Sequence, residues 1–398
     1  MMTAREALLG PSYRRHVRLI ERSRTWTPSQ IEAYQQARLQ ELIGRYGDKM
    51  TSKDDYRANL DRFTRWNMPL LMQTIRTGGT SGEPLRFRMD TIARRQKELA
   101  YIFNIWSTIG YSPFDLRVVY RGNVHDRLYR FEELQNRWVI SAGSSAADRL
   151  DLRKWARKLR PFFLHVYPSS LFTLVDLLGE SLFRKLPIKG ILAGSESFPV
   201  GEAEQFERDF GIPVAHWYGH SECAALAYRC KICKGFHFFP TYGTVELLAS
   251  NDDHLWRIVA SSFNSIGTQF VRYDTGDLAE PPKHACVDRF PLVGDVVGRC
   301  QETFVDGRGS RRALAPYIFG IHGPFWDGIR DLQFVQERTG QMRVRLVVHT
   351  NTDRSQIQKV LEQRLSMVRL DFDYVSRIER LSNGKRRYFI SNLDDASV

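Results

Sequence analysis

Between positions 27 and 43 apolar residues recur at helical spacing, with Ile31, Tyr34, Leu39 and Leu42 on one face. Thr27-Pro28-Ser29-Gln30 supplies an N-cap hydroxyl, a proline at the first helical position and a capping-box glutamine, and Gly44 is expected to stop the helix. Residues 53–64 read as a polar, helical connection. Leu85-Arg86-Phe87-Arg88 alternates like a strand. A long helix is predicted from Thr91 to Ile109, burying Ile92, Leu99, Ile102, Phe103 and Trp106. Arg117–Tyr120 is a short β-rich run. Helices near 148–160 and 170–184 lead into a strand at Lys189–Ala193, and a helix near 201–210 ends at Gly211 before a strand at Val214–Tyr218. Strands alternating with helices of this length predict an α/β layer structure with parallel pairing.

The pattern changes after residue 235. Phe236–Phe239, Tyr242–Leu248, Trp256–Ser261 and Gln269–Tyr273 read as short strands of a β-rich subdomain. Beyond Gly294–Arg299 lies a βαβ-like module, with strands at 332–337 and 342–349, a helix at 354–366 and strands at 373–379 and 387–391. The expected fold is therefore α/β, with a large N-terminal domain over 1–298 and a small α+β C-terminal domain over 299–398.

Composition narrows the class. The chain has 398 residues, 42% of them hydrophobic and 26% charged, which is ordinary for a globular protein with an ample core. No apolar run is long enough to span a bilayer, and the first residues lack the apolar region of a secretory signal, so a soluble cytoplasmic protein is expected with no membrane partner. The net charge of +13 would attract nucleic acid, an anionic carrier protein, or ATP and coenzyme A. The basic residues are dispersed and no nucleic-acid motif is visible, so nucleic acid is not the expected partner. Five cysteines, at 223, 230, 233, 286 and 300, argue against a disulfide framework.

Five short stretches carry candidate chemistry. Thr77-Gly78-Gly79-Thr80-Ser81-Gly82 offers closely approachable backbone amides and three hydroxyls, suited to a phosphate chain, although it lacks the spacing and lysine of a Walker A loop. Alone it reads equally well as a surface turn. Trp217-Tyr218-Gly219-His220-Ser221-Glu222 follows a strand, where open α/β sheets bind ligands; Tyr218 could stack on a base and Glu222 could hold Mg2+ on phosphate. A structural tyrosine and a solvated glutamate are the plain alternatives. Tyr273-Asp274-Thr275-Gly276-Asp277 could present an aspartate to a ribose after a tight turn, or be an ordinary Asx turn. Arg299 could pair with phosphate or ribose oxygens. Ser382-Asn383-Gly384-Lys385 is a turn presenting a lysine, or a solvated hairpin.

In this order and at these separations the five stretches resemble the acyl-adenylate-forming (ANL) superfamily, and within it the phenylacetate–CoA ligase and coenzyme F390 synthetase (CapK-like) branch. Gln35–Leu42 (QQARLQEL), Thr77–Pro84 (TGGTSGEP), Ala193–Pro199 (AGSESFP) and Phe210–Glu222 (FGIPVAHWYGHSE) add to the likeness, which covers roughly residues 27–392. The resemblance implies an ATP-dependent ligase. A carboxylate attacks the α-phosphate of MgATP to give an acyl-AMP and pyrophosphate, and a thiol or amine then takes the acyl group. It further implies that Thr77, Gly78, Gly79, Thr80, Ser81 and Gly82 hold the β- and γ-phosphates. Ser195, Glu196, Trp217, Tyr218 and Gly219 would border the nucleotide, with Tyr218 facing adenine. Ser221 would sit by the α-phosphate, Glu222 would bind Mg2+, Asp277 the ribose, and Arg299 the ribose and phosphates. Lys385 would neutralise charge in the transition state. The small domain would be mobile, hinged near Gln301. Glu83 stands where many relatives have lysine, the N-terminal part is short, and Ala313-Leu314-Ala315-Pro316 replaces an asparagine-containing segment. The acceptor thus stays open among coenzyme A, a carrier protein and an amine, and a homodimer is compatible with the likeness.

Cys230, Cys233 and His237 form C-x2-C-x3-H, three of the four ligands a structural zinc requires. Relatives in this branch make Cys286 the best fourth ligand, with Cys223 and His284 as alternatives; free thiols without metal are the other reading. In relatives the acyl pocket would involve Tyr101, Asn104, Ile105, Ala193, Gly194, His216 and Trp217. Small residues at 193–194 beside aromatics suit a flat aryl acid or another small organic acid. The rival function is a degenerate fold that binds nucleotide, RNA or a partner protein without ligase chemistry.

Overall fold

A computed structural model describes residues 9–64, 72–76, 85–121, 127–141, 148–196, 198, 201–250, 255–263, 267–299, 303–309, 311–314, 317–318, 328–350, 352–379 and 387–393, with the side chains of Arg76, Ser169, 297–299, Thr303 and 311–313 also left aside. The elements run α1 (Pro11–Ser23), α2 (Pro28–Tyr46), α3 (Lys53–Ala58), α4 (Leu60–Phe63), β1 (Met72–Arg76), β2 (Arg86–Asp90) and α5 (Ala93–Ser107). Next come β3 (Arg117–Tyr120), β4 (Tyr129–Glu132), β5 (Arg137–Ile140), α6 (Arg149–Ala156), β6 (Phe162–Val166), α7 (Pro168–Leu178), α8 (Glu180–Phe183), β7 (Ile188–Gly194) and α9 (Glu202–Phe210). A β-rich stretch follows: β8 (Val214–Gly219), β9 (Leu226–Arg229), β10 (Phe236–Phe238), β11 (Gly243–Ala249), β12 (Trp256–Ser262), β13 (Tyr273–Ala279), β14 (Leu292–Val293) and β15 (Val296–Arg299). The last elements are β16 (Thr303–Val305), β17 (Arg311–Ala313), β18 (Ile329–Arg338), β19 (Gln341–Val348), α10 (Arg354–Arg364), β20 (Arg369–Tyr374) and β21 (Phe389–Ser391). No helix among the described residues is long and apolar enough to cross a membrane.

The chain divides into two compact units, the first comprising residues 1–115, 192–195 and 215–296 and the second 116–191, 196–214 and 297–398. In the first, α2 starts on the capping box read from its sequence: Gln30 N–H donates to Thr27 Oγ1 at 3.3 Å, and Thr27 N–H to Gln30 Oε1 at 2.9 Å. Gly44 does not end it. The helix runs three residues further and stops at Gly47, whose φ of 93° a side chain would resist. Helix α5 buries the predicted Phe103 and Trp106 but otherwise a different set of residues. Ile92 is 57% exposed, whereas Lys97, Ala100, Tyr101 and Ile105 are buried beside Phe103 and Trp106. The fully enclosed Lys97 makes this possible, because its ammonium donates to the carbonyls of Phe263 (2.6 Å) and Tyr242 (3.3 Å) and lies over the Tyr242 ring. Strands β14, β10, β9 and β8 adjoin in that order, with antiparallel pairing from β14 to β10, β10 to β9 and β9 to β8, while β11, β12 and β13 form an antiparallel meander.

In the second unit the strand order is β6-β3-β5-β4, with the first residues of β7, Ile188–Ile191, next to β6. Pairing of β3 with β5 and β6 is parallel, as expected, but β4 and β5 form an antiparallel pair at the sheet's outer end that the sequence pattern did not reveal. The predicted helix 170–184 is broken at Gly179, with φ 79°. The C-terminal part is a sheet ordered β20-β19-β18-β21, covered by α10. Phe304, Leu332, Met342, Val344, Leu346, Leu361 and Leu365 form its core, each at most 1% exposed. The strand expected at 373–379 lies earlier, at 369–374, where it pairs in parallel with β19.

Candidate functional site

Strand β8 carries Ala215, His216 and Trp217 buried and brings Tyr218 and Gly219 to its exit, where the chain turns through His220–Cys223. The turn is tight: Cys223 N–H donates to His220 O at 3.1 Å, and Cys223 has a φ of 54°. Glu222 points inward and is 5% exposed, while Ser221 is exposed. Both carboxylate oxygens of Glu222 are engaged. The Tyr273 hydroxyl donates to Oε1 at 3.1 Å and His220 Nδ1 to Oε2 at 3.2 Å. Burial alone would raise the carboxyl's pKa; the hydrogen bond and charge of His220 outweigh it and hold it at about 2.

Opposite, Tyr218 donates its hydroxyl to Asp277 Oδ2 at 2.7 Å. Burial and the Asp277 charge push the Tyr218 phenol well above its usual range, so it stays a donor. Asp277 does not follow a turn, as its sequence suggested; Tyr273–Asp277 is the first part of β13. The local turn is folded into the strand. Gly276, with a φ of 73°, donates its N–H to Asp274 Oδ1 (3.0 Å), and Asp277 N–H donates to Thr275 Oγ1 (3.1 Å), next to a register shift on β12. Asp274 is thereby used structurally, paired with Arg257, and Asp277 is left to face Tyr218.

Ala193 and Gly194 close β7, and both are buried. A Cβ on Gly194 would come within 2.2 Å of Trp217 Cε2, so the missing side chain is what admits the indole. Trp217 also packs against Trp106 at 5.7 Å, and His216 meets Phe236 edge to face. Tyr101 is 0% exposed and donates its hydroxyl to Thr241 (2.9 Å); Ile105 is 2% exposed, and Asn104 accepts from Arg24. Thr77–Gly82 and Lys385 lie outside the described residues, as does the side chain of Arg299, whose backbone belongs to β15.

In the second unit Ser195's neighbour Glu196 joins a cluster that the sequence reading missed. At the carboxyl end of β3, the Arg121 guanidinium lies 2.8 Å from His165 Nε2 and 4.5 Å from the Tyr167 ring centre, with Glu196 as a nearby negative charge. Burial and the cations Arg121, Arg117 and Arg137 push His165 well below its usual pKa, so it accepts as a neutral ring. The readable signal was a charged residue directly after the apolar run Val118-Val119-Tyr120. Ser195, in the first unit, has a φ of 68°.

Cys230, Cys233, His237 and Cys286 bring their ligand atoms within 4.8 Å of one another. Tetrahedral zinc, with Zn–S about 2.3 Å and Zn–N about 2.0 Å, needs S···S edges of about 3.8 Å and S···N edges of about 3.5 Å. Here Cys230 Sγ lies 3.7 Å from Cys286 Sγ, and Cys233 Sγ 3.5 Å from His237 Nε2. The donor set fits the ion in number, softness and spacing. His237 Nδ1–H donates to Phe290 O (2.9 Å), which fixes the tautomer and leaves Nε2 to the metal. The knuckle is shaped by Lys234, at a φ of 58°, and by Gly235, where a Cβ would strike Val293 O at 2.4 Å. Cys223 and His284 are outside this group; Cys223 instead accepts from Arg94 at 3.4 Å.

Comparison with known proteins adds three findings. Residues 317–392 match the family model of the CapK C-terminal domain. No curated protein matches the chain. Among solved structures, a 2-hydroxyisobutyryl-CoA ligase in the postadenylation state with R3-HIB-AMP is similar with a TM-score of 0.65 at 14% identity, over 96% of this chain and 85% of that one. The same ligase in an open conformation with 2-HIB-AMP and CoA gives 0.51 at 15% identity, over 96% and 87%. An anthranilate CoA ligase with anthranoyl-AMP gives 0.52 at 11% identity, over 79% and 65%. At these identities the likeness is one of fold.

Proposed function

We propose that the chain, which shares the fold of the acyl-adenylate-forming superfamily, is a CapK-like member of it and an ATP-dependent ligase that activates a small organic acid as its acyl-AMP. The observation that carries this reading is the pair of anchored acids at the exit of β8, Asp277 held by Tyr218 and Glu222 held by Tyr273 and His220.

In the first step a carboxylate oxygen attacks the α-phosphorus of ATP, and pyrophosphate leaves with the electron pair of the broken P–O bond. In the second, a thiol or amine attacks the acyl carbon, gives up its proton, and AMP departs. Asp277, held by the Tyr218 hydroxyl, accepts from ribose hydroxyls, and Tyr218 borders the base. Glu222 would hold Mg2+, an ion that takes few protein carboxylates, and the ion would supply positive charge against the phosphates. Each Glu222 oxygen uses one lone pair on its anchor and keeps another for the metal. Ser221, Ser195, Glu196 and Gly219 border the nucleotide, Thr77–Gly82 grips the departing pyrophosphate, and Arg299 and Lys385 supply the remaining cations. Ala193, Gly194, His216 and Trp217 flank the acid. The tight seat of Trp217 on Gly194 favours a flat, small acyl group. The small domain, 299–398, carries Lys385 and moves between the two steps. Zinc at Cys230, Cys233, His237 and Cys286 is structural, and the ligase works in the cytoplasm.

The test is pyrophosphate release over aryl, fatty and amino acids, with coenzyme A present or absent. An active acid should support ATP–pyrophosphate exchange, Lys385→Ala should abolish it, and Asp277→Asn should raise the KM for ATP about tenfold with the KM for acid unchanged. Exchange that survives Lys385→Ala, or no exchange with any acid, would sink the reading. A response to coenzyme A would identify the acceptor as that thiol rather than a carrier protein or an amine.

A further inference from the structure

Between the outer strands β4 and β5 and helix α6 runs a groove of about 1160 Å3. Its floor is aromatic for a reason legible in the strand period. Tyr129 and Phe131 alternate onto one face of β4, and Trp138 is the cross-strand partner of Phe131. From the other side α6 offers Asp151, Lys154 and Trp155 at the spacing of a single helix face, and the turn that follows the helix adds Lys158. Tyr129 stacks on Trp155 at 4.7 Å, Trp138 meets both rings edge-on, and Phe131 packs on Trp138 while staying 41% exposed.

Around this floor stand four cations, Arg127, Lys154, Lys158 and Arg160, against the single acid Asp151. A concave site with a surplus of cations focuses positive potential, and an exposed ring beside it offers a stacking face. The volume exceeds the range of about 300–1000 Å3 usual for drug-sized ligands and is too large for one aryl acid. We propose that this groove is a second ligand site, taking a nucleoside phosphate whose base lies on the aromatic floor and whose phosphates meet the lysine and arginine rim. It shares no residue with the acids around Tyr218 and does not depend on the ligase reading.

Equilibrium dialysis of the full-length protein with labelled ADP, and separately with coenzyme A, tests it, with benzoate as the aromatic anion lacking phosphate. Wild type should bind one equivalent more of ADP or of coenzyme A than Lys154→Glu/Lys158→Glu does, or bind the second equivalent at least about tenfold more tightly, and the difference should shrink as salt rises. Both lysines are exposed, so an unchanged thermal midpoint verifies that the variant is folded. Equal stoichiometry and affinity in the two proteins would overturn the proposal, and so would benzoate binding as tightly as ADP. Pyrophosphate exchange measured on both proteins keeps the issues apart, because its loss in wild type would count against the ligase and not against the groove.

Discussion

The hydroxyl of Tyr273 donates to Glu222 Oε1 at 3.1 Å, joining β13 to the turn after β8 through a carboxylate that is 5% exposed. A buried anion survives only where donors meet it, and Tyr273 and His220 divide that work between the two oxygens. Removing one donor should therefore loosen the hold on Glu222 at some cost in stability.

Tyr273→Phe leaves Glu222 with His220 alone. Hydrogen bonds to charged groups are worth about 1.5–3 kcal/mol, so kcat/KM for ATP in pyrophosphate exchange should fall about 10- to 100-fold in protein shown to be folded by circular dichroism. Unchanged exchange kinetics in Tyr273→Phe would mean that Glu222 has no part in binding the nucleotide.

His16 supplies a pH dependence. Burial lowers its pKa to about 4, only partly offset by its Nδ1–H bond to Ser12 O at 2.8 Å, and Lys97 and Arg15 push the same way as burial. The folded pKa lies below the unfolded value of 6.5, so the unfolded chain binds the proton more readily. Stability from the neutral ring is full above pH 6.5 and is lost as the pH falls toward 4, by about 3 kcal/mol if the whole shift is expressed. Urea midpoints of wild type and His16→Phe should differ in slope across that window and run parallel above it; parallel curves throughout would show that His16 does not titrate as its burial implies.

Gly194→Ala tests the seat of Trp217. The backbone can hold alanine, but its Cβ would lie 2.2 Å from the indole, and overpacking of this kind costs about 1–3 kcal/mol. The thermal midpoint should drop and tryptophan emission should shift as the ring moves away from Trp106. A variant as stable as wild type, with unchanged emission, would contradict the contact.

Zinc should be present at about one ion per chain. Chelation, or Cys233→Ser, should lower the thermal midpoint and free the thiols to a chromogenic reagent, while Cys223→Ser should leave metal content unchanged. Purified protein with far less than one zinc, and stability indifferent to chelator, would leave four free side chains in place of a site.

Much of this was legible in the chain because it depends on local rules. The capping box at Thr27–Gln30 and the C-x2-C-x3-H spacing are short-range patterns, and they fold as such. What escaped depends on partners distant in sequence. Periodicity could not place Lys97 inside, since the carbonyls that satisfy it come from residues 242 and 263. It could not show that Asp277 lies in a strand, because Gly276 folds a turn into β13 without ending it. The strands of the pair β4–β5 are only four residues each, too short for their alternation to stand out. Arg121 drew no reading from the sequence, because only the parallel pairing of β3 with β6 sets it beside His165.

Cys230 and Cys286 stand 56 positions apart in the chain, and β10 to β13 all lie between them. A metal held by both is therefore a cross-link that closes a ring, and the ring contains Tyr273 and Asp277. Closing a loop of that length removes chain entropy from the unfolded state worth about 4 kcal/mol if the link behaves like a disulfide. Unlike a disulfide it needs no oxidant, and a competing chelator can open it. The meander bearing Asp277 would then be held by a clasp whose strength follows the supply of the metal.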